Sequence, residues 1–503
     1  MDPVMPVALW LPVALALGGA VLGLIADAFD MRPAALALMI LGLAGAAASG
    51  FVSATTESPG IALEMLAYGA GFSSLPALGY ALASVALIAG YRRYAGWDRG
   101  PAMAGLIVFG AVFGHALIAA LDLLVLFVSL SGLAVIGYAL VSGAGTRRSE
   151  ESAIRYLVQG SVATGLTLYG IALVFGLGGG VTGYVSAGGA LSMAESRPAL
   201  LALGLVLSAF AFKLGAFPFH SWAPDAYENA DAPSVAFLAS APKVAAVIAL
   251  LIVVRGTLFA AEPFAVSANL LIALGLGSLL FGSFGMLRQE SVARLLGYSG
   301  IAQVGYALLA MGAGAAGIQA TIIFIVTYAI GACAAFVAIE AAGRVRPGWN
   351  GTLGTMGGLA KKSPLLGASL VVIMLSLTGI PLFAGFWGKL HVFVALVESD
   401  SLWLALAAGV AAVVSFGGYG RVLRAAYFES APDGDADGAE QITEPDTGEP
   451  VADPGSDDAA DSVEPERGGA PLLVTVALAL VIVALGVVPL FTGVAPVFSV
   501  FGL

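Results

Sequence analysis

The sequence predicts an all-α polytopic membrane protein of about fourteen transmembrane helices, and three observations predict it. Hydrophobic residues make up 59% of the 503 and charged residues only 11%, well under the roughly 25% charge of a soluble domain, and mean hydropathy is +0.97. The apolar residues gather in fourteen stretches, most of them near the roughly 20 residues that cross a hydrocarbon core of about 30 Å. Sixteen of the 21 Lys and Arg lie in or beside one alternating set of gaps between those stretches.

The stretches are delimited by residues that end helices or leave the membrane. The first, 6–26, has no basic region ahead of it and reads as a retained helix, not a cleaved signal. Arg32 and Pro33 separate it from 33–53. An outer loop, 54–73, precedes 74–91, which stops at Arg92 and Arg93. Gly100 and Pro101 open 101–120, and Asp122 stands in a tight junction before 122–143, as a cap or a relay group. Span six, 153–177, follows Arg147, Arg148, Glu150 and Glu151, a solvated helix start with an i,i+4 contact between Glu151 and Arg155. Spans seven and eight are 199–219 and 233–254. Spans nine to eleven, 265–287, 294–312 and 314–341, are divided by short gaps, and Glu340 near the inner end of the last reads as an interfacial charge. Lys361, Lys362 and Pro364 precede 364–396, and 402–423 and 471–494 complete the set.

Positive charge accumulates on the cytoplasmic side of membrane proteins. The opposite set of loops holds only Arg197 and Arg255, so both termini are expected outside, in a multi-pass protein of the cell (plasma) membrane. Residues 429–466 carry fourteen Asp and Glu and no Lys or Arg, so the net charge of −11 belongs to this insert and the rest is close to neutral. The segment 428–469 cannot bury enough surface to order itself and is expected to be a disordered cytoplasmic loop, a solvating insert or a mooring for a basic partner.

Composition also excludes functions. One cysteine, Cys333, rules out an intrachain disulfide framework, a cysteine-ligated cluster and a zinc ribbon. The histidines, His115, His220 and His391, leave little material for a metal site, so no metal and no bound cofactor are expected in this chain. No glycine-rich phosphate loop follows a strand-like run. Nucleic acid is not an expected partner; the lipid bilayer is.

Three of the five lysines, Lys213, Lys243 and Lys389, lie inside or at the edge of apolar stretches. An ammonium at membrane depth costs at least about 2.5 kcal/mol. It persists there when it is paired, hydrated, or free to give up its proton, which is what a proton relay requires; near a helix end it can instead snorkel to the interface. Pro218 lies five residues beyond Lys213, and Gly379 and Pro381 interrupt span twelve ahead of Lys389. Spans seven and twelve are therefore expected to be broken, because proline removes a donor and clashes with the preceding turn. Lys243 belongs to span eight, beside Pro242. Interrupted helices at matching places in two five-span halves suit an inverted-repeat transporter. The domains that follow are an N-terminal three-helix segment (1–100), a first repeat (101–254), a second, inverted repeat (265–423), the acidic loop (428–469) and a final helix (470–503). His220 caps the break or joins the relay; His391 and His115 read mainly as structural.

At these residues a family resemblance emerges. Phe212-Lys213-Leu214-Gly215-Ala216, Pro218 through Glu228, Ala236-Phe237-Leu238 and Pro242-Lys243 resemble the subunit N family of NADH-quinone oxidoreductases, the respiratory complex I enzymes. So do Gly358 through Leu366, Leu375 through Pro381 and Gly385 through Lys389. Pro218 through Trp222 alone is also similar to Mrp-type cation/proton antiporter subunits, which stand as the alternative. The resemblance implies an antiporter-like membrane-arm subunit that helps translocate protons while the complex transfers electrons to quinone. It implies relay roles for Lys213, Lys243 and Lys389, with His220 beside the broken helix. It places quinone and iron–sulfur clusters in partner subunits, other membrane-arm and redox chains. The sequence departs from the family at three places: Ser131 stands where the family has a span-five glutamate, Arg155 where it has a lysine, and Gln303 where it often has histidine. Without that glutamate, Asp122 and Glu151 are the possible counter-charges for Lys213.

Overall fold

The computed structural model describes residues 7–56, 60–62, 65–68, 70–193, 196–254, 264–429 and 469–492. Arg255, Arg467, the ends of the chain and nearly all of the predicted acidic loop lie outside the described residues. The helices run in order as α1 (Val7–Ala28), α2 (Arg32–Thr56), α3 (Ala70–Ala95), α4 (Gly100–Ala119), α5 (Leu123–Gly143), α6 (Arg147–Leu177), α7 (Tyr184–Met193), α8 (Ser196–Leu214), α9 (Trp222–Asn229) and α10 (Ala232–Leu238). They continue as α11 (Ala241–Val253), α12 (Phe264–Met286), α13 (Val292–Gly312), α14 (Ala316–Val345), α15 (Leu359–Lys362), α16 (Pro364–Thr378), α17 (Ala384–Glu398), α18 (Leu402–Phe428) and α19 (Gly469–Thr492). Two short strands, β1 (Gly60–Ala62) and β2 (Leu66–Tyr68), pair antiparallel with Ile61 opposite Ala67, inside the loop predicted at 54–73.

Among the described residues thirteen helices are long and apolar enough to cross a membrane, with α10 and α11 counted as one span. The remaining predicted span is divided between α16 and α17. All fourteen predicted stretches are thus helical, and the chain is a multi-pass membrane protein. Local chemistry explains where boundaries moved. α6 starts at Arg147, not 153, because Thr146 and Ser149 form a reciprocal capping box, each side chain accepting from the other's backbone N–H at 3.1 and 3.0 Å. The tight junction between α4 and α5 is pinned by backbone bonds from Leu121 N to Met65 O and from Leu123 N to Thr182 O.

Burial sorts the spans. Within its most apolar stretch α10–α11 is 94% buried and α13 and α14 are each 89% buried, against 33% for α1, α6, α18 and α19. Spans eight, ten and eleven therefore form the centre, and α1, α6, α18 and α19 turn a broad face outward. α14 packs against α10, α11, α16, α17 and α19, joining the two ends of the chain's interior.

Two breaks fall where the sequence predicts them and share one geometry. α8 ends at Leu214, five residues short of the predicted end, because Gly215 turns left-handed at φ 68° and Ala216 N bonds back to Ala211 O. α16 ends at Thr378, where Gly379 has φ 92° and Ile380 N bonds to Leu375 O. Each is a glycine-closed helix end, a conformation that a side-chain-bearing residue resists. A third break was not predicted: α10 stops at Leu238 and α11 starts at Ala241, with Ser240 at φ −118° and ψ −85° and Pro242 in the first turn. Proline has no N–H to lose at that position and disfavours helix in the residue before it.

Candidate functional site

Each of the three buried lysines stands at or beside one of these breaks, and each ammonium meets oxygen that is not carboxylate. Lys213, in the last turn of α8, donates to Leu133 O in the middle of α5 at 3.0 Å. Lys243, in the first turn of α11, lies 3.3 Å from Gly300 O and 3.5 Å from the Tyr328 hydroxyl, with the Tyr227 and Tyr328 rings 5.7 and 5.6 Å from its Nζ. Lys389, in α17, reaches back across the break to donate to Leu377 O at 3.0 Å and Thr378 O at 2.7 Å, and stands 4.8 Å from the Tyr306 ring centre. A helix end leaves its last carbonyls without partners and carries partial negative charge. The turn at Gly379 uses the carbonyls of Leu375 and Ser376, and Lys389 takes the two that remain.

All three lysines are at most 5% exposed, and none has an ion-pair partner among the described residues. The predicted counter-charges are not brought to Lys213. Asp122 N-caps α5, accepting from Leu124 N at 2.8 Å and from the Thr182 hydroxyl. It lies eleven residues before Leu133, about 16 Å along the helix. Glu151 is exposed and pairs with Arg147, not with Lys213 or Arg155. Ser131, by contrast, lines the same small cavity as Lys213, together with Thr164, Thr167 and the apolar walls of Phe127, Leu130 and Phe212. Ser131 thus sets a hydroxyl beside a space of water size.

The loop between α8 and α9 is tied to both sides of the molecule. Phe217 N donates to Ser278 Oγ of α12 at 2.9 Å, and Gln159 of α6 donates to Ser221 Oγ at 2.8 Å. His220 packs against Phe217 and Phe281 and is half-buried, with no hydrogen-bond partner for its Nδ1 among the described residues. Trp222 donates to Phe212 O at 3.0 Å, a carbonyl in the last turn of α8, and stacks flat on Tyr156 at 3.9 Å. The acids beyond the break hold the surface together: Asp225 accepts from Arg155 at 3.0 Å and Arg294 at 2.5 Å, and Arg294 also reaches Glu228 at 3.0 Å. These pairs clamp α9 between α6 and α13.

Glu340, read from the sequence as an interfacial charge, is itself buried beneath two arginines. Its side chain is 3% exposed and accepts from both Arg93 and Arg344 at 3.1 Å. His391 Nδ1 lies 2.8 Å from Trp387 O, and His115 Nδ1 lies 3.1 Å from the Tyr80 hydroxyl. Gln303 donates to Leu377 O at 2.9 Å, sharing that acceptor with Lys389, and to the Tyr419 hydroxyl at 3.1 Å. The sequence did not single out Tyr227, Tyr328, Tyr306 or Tyr419. Their signal was an aromatic with a polar tip in an otherwise apolar span, where a buried hydroxyl seeks a partner.

Broken spans carrying buried, carboxylate-free lysines define an antiporter-like membrane protein, and the comparisons place it further. The family described as NADH:quinone oxidoreductase/Mrp antiporter, TM, matches residues 120–415. The NADH-quinone oxidoreductase subunit N 1 of Rhizobium meliloti (strain 1021) is 35% identical over 378 residues, covering 72% of this chain and 77% of that protein. A chain of respiratory complex I from Thermus thermophilus superposes with a TM-score of 0.76 at 28% identity, over 96% of this chain and 98% of that one. A chain of the Mrp complex from Dietzia sp. DQ12-45-1b reaches 0.79 at 21% identity, over 98% and 96%, which shows a shared fold. The chain belongs to the NADH:quinone oxidoreductase/Mrp antiporter transmembrane family, and its curated relatives are subunit N proteins of NADH-quinone oxidoreductase.

Proposed function

We propose that the chain is a membrane-arm subunit of a complex I-type donor:quinone oxidoreductase and contributes to proton translocation coupled to electron transfer. The observation that carries this reading is the set of three lysines, each buried at or beside a helix break and held by backbone or phenol oxygen instead of a carboxylate. An ammonium paired with a carboxylate gains Coulomb energy by keeping its proton. One held by neutral dipoles can give the proton up and still be hydrogen-bonded.

Lys213, Lys243 and Lys389 are assigned as proton carriers, with His220 at the broken turn as a fourth group. Asp122 and Glu151 drop out as counter-charges because both are engaged elsewhere. Charge or shape changes arriving from neighbouring membrane-arm and redox subunits would shift the preference of each lysine for its proton, and protons would pass through intervening water. The chain carries no redox centre in this reading; quinone and iron–sulfur clusters belong to partner subunits. A single cysteine is the support. The protein resides in the cell membrane with both termini outside and the 428–469 loop in the cytoplasm, as the lysine and arginine distribution favours. Residues 101–254 and 265–423 form the two halves, preceded by the segment 1–100 and followed by the loop and 470–503.

Mild-detergent purification from native membranes with mass spectrometry of what stays bound tests the assembly. Iron–sulfur and quinone-site subunits in the same particle are expected. Retention of multispan subunits alone, with sodium-dependent proton flux and no electron donor, would replace this reading with a cation/proton antiporter of the Mrp type.

A further inference from the structure

Among the described residues Lys243 and Lys389 share no hydrogen-bond partner, yet one residue touches the first and lines a cavity with the second. The Tyr328 hydroxyl lies 3.5 Å from Lys243 Nζ. Tyr328 also lines a small cavity whose wall includes Lys389, Gln303, Thr327 and Ser376. The cavity has room for about one water and polar groups enough to hold it. The other polar groups there are partly engaged, which among the described residues leaves Gln303 Oε1 and the Ser376 hydroxyl hydrogen for the water. Thr327 donates to Ile323 O at 2.9 Å, Gln303 donates to Leu377 O and Tyr419, and Ser376 Oγ accepts from Gly385 N at 3.1 Å. Tyr328 is the member of this wall that also meets Lys243: among the described residues Lys243 is the one hydrogen-bond partner of its hydroxyl, which leaves the hydroxyl hydrogen without a protein acceptor. The ring is fixed, stacked parallel to Phe324 and almost fully buried.

We propose that Tyr328 is the proton-transfer link between Lys243 and Lys389. The ammonium of Lys243 passes a proton to a lone pair of the Tyr328 oxygen as the hydroxyl's own proton leaves to the cavity water. That water passes one of its protons to the neutral amine of Lys389. Lys243 ends neutral, Lys389 ends as ammonium, and Tyr328 and the water are unchanged except in orientation. Rotation about the phenol C–O bond resets the link. The titratable groups around Tyr328 are Lys243 of α11, Tyr227 of α9, Tyr419 of α18 and Lys389 of α17. Of these only the lysines have the charge change that the step moves. Gln303, which cannot take up charge, serves to hold the water and the shared carbonyl in place.

The inference rests on the proton-translocation reading above, so its test runs in the assembled complex beside lysine variants. Proton uptake per quinone reduced is measured in sealed vesicles for Tyr328→Phe, Lys243→Met and Lys389→Met, with the amount of assembled particle read on native gels. Tyr328→Phe keeps the stacked ring and is expected to lose as much coupled uptake as Lys243→Met. Difluorotyrosine at position 328 keeps ring and hydroxyl but makes the phenol more acidic, and is expected to move the pH profile of uptake toward lower pH. A purely structural tyrosine would leave that profile in place. Wild-type uptake by Tyr328→Phe, or an unmoved profile with difluorotyrosine, overturns the link. Should Tyr328→Phe fail to assemble, the difluorotyrosine profile decides alone. Lysine variants that pump normally would instead remove the translocation reading itself.

Discussion

Lys389 has two roles that can be separated. Its ammonium caps the broken end of α16 through Leu377 O and Thr378 O, and in the proposed function it carries a proton. Lys389→Met removes the charge and keeps most of the volume. It strands one buried carbonyl, Thr378 O, at about 1–3 kcal/mol, because Leu377 O keeps the Gln303 amide, and it loses the favourable meeting of a cation with a helix C-terminus, up to about 2 kcal/mol. Against this, the desolvation penalty of burying an ammonium, several kcal/mol, disappears. The terms oppose each other, so assembly should change little, by about 2 kcal/mol or less, and coupled proton uptake should fall. Lys389→Arg makes the sharper comparison. A guanidinium restores the donors and the charge but does not release a proton near neutral pH. Assembly on native gels and proton uptake per quinone reduced are the readouts. Both variants are expected to assemble and both to pump poorly. Normal pumping by Lys389→Arg would refute the carrier role and leave only the cap.

Other expectations follow from the same contacts. Glu340→Gln removes the buried carboxylate shared by the partly exposed Arg93 and Arg344 and should cost about 1–3 kcal/mol, seen as a lower yield of assembled complex. Gly379→Ala forces a side chain into a left-handed turn, at about 1–2 kcal/mol, and brings its methyl 2.7 Å from Lys389 Cδ; uptake should fall further than assembly. Asp225→Asn weakens the clamp on α9 from Arg155 and Arg294, so heat inactivation of the purified particle should begin at lower temperature, whereas Glu151→Gln, whose ion pair among the described residues is with exposed Arg147, should change nothing measurable.

The spans were legible because hydropathy and the Lys and Arg distribution are local properties of sequence. The breaks in spans seven and twelve were legible for the same reason, since Pro218, Gly379 and Pro381 announce them, although the turn that closes α8 is made by Gly215. The break at Ser240 was not, because Pro242 at a helix start and Pro242 inside a helix look alike in sequence. The lysines could be picked out by their cost, but not what holds them. Leu133 O, Gly300 O, Leu377 O and Thr378 O are backbone atoms of apolar residues, invisible until α5, α13 and α16 are placed. Acidic residues misled in the other direction. Asp122 and Glu151 looked available for Lys213, yet a cap and an i,i+4 arginine claimed them.

The central claim is that buried lysines of this chain move protons when the complex passes electrons to quinone. Lys243 tests it most directly, because it stands in the most buried span, beside the break between α10 and α11. The measurement is proton uptake per quinone reduced, in sealed vesicles containing the assembled complex, for wild type and Lys243→Ala at matched particle content. The ratio is predicted to fall in Lys243→Ala while the particle stays assembled. An unchanged ratio would contradict the assignment of Lys243 and the account built on it.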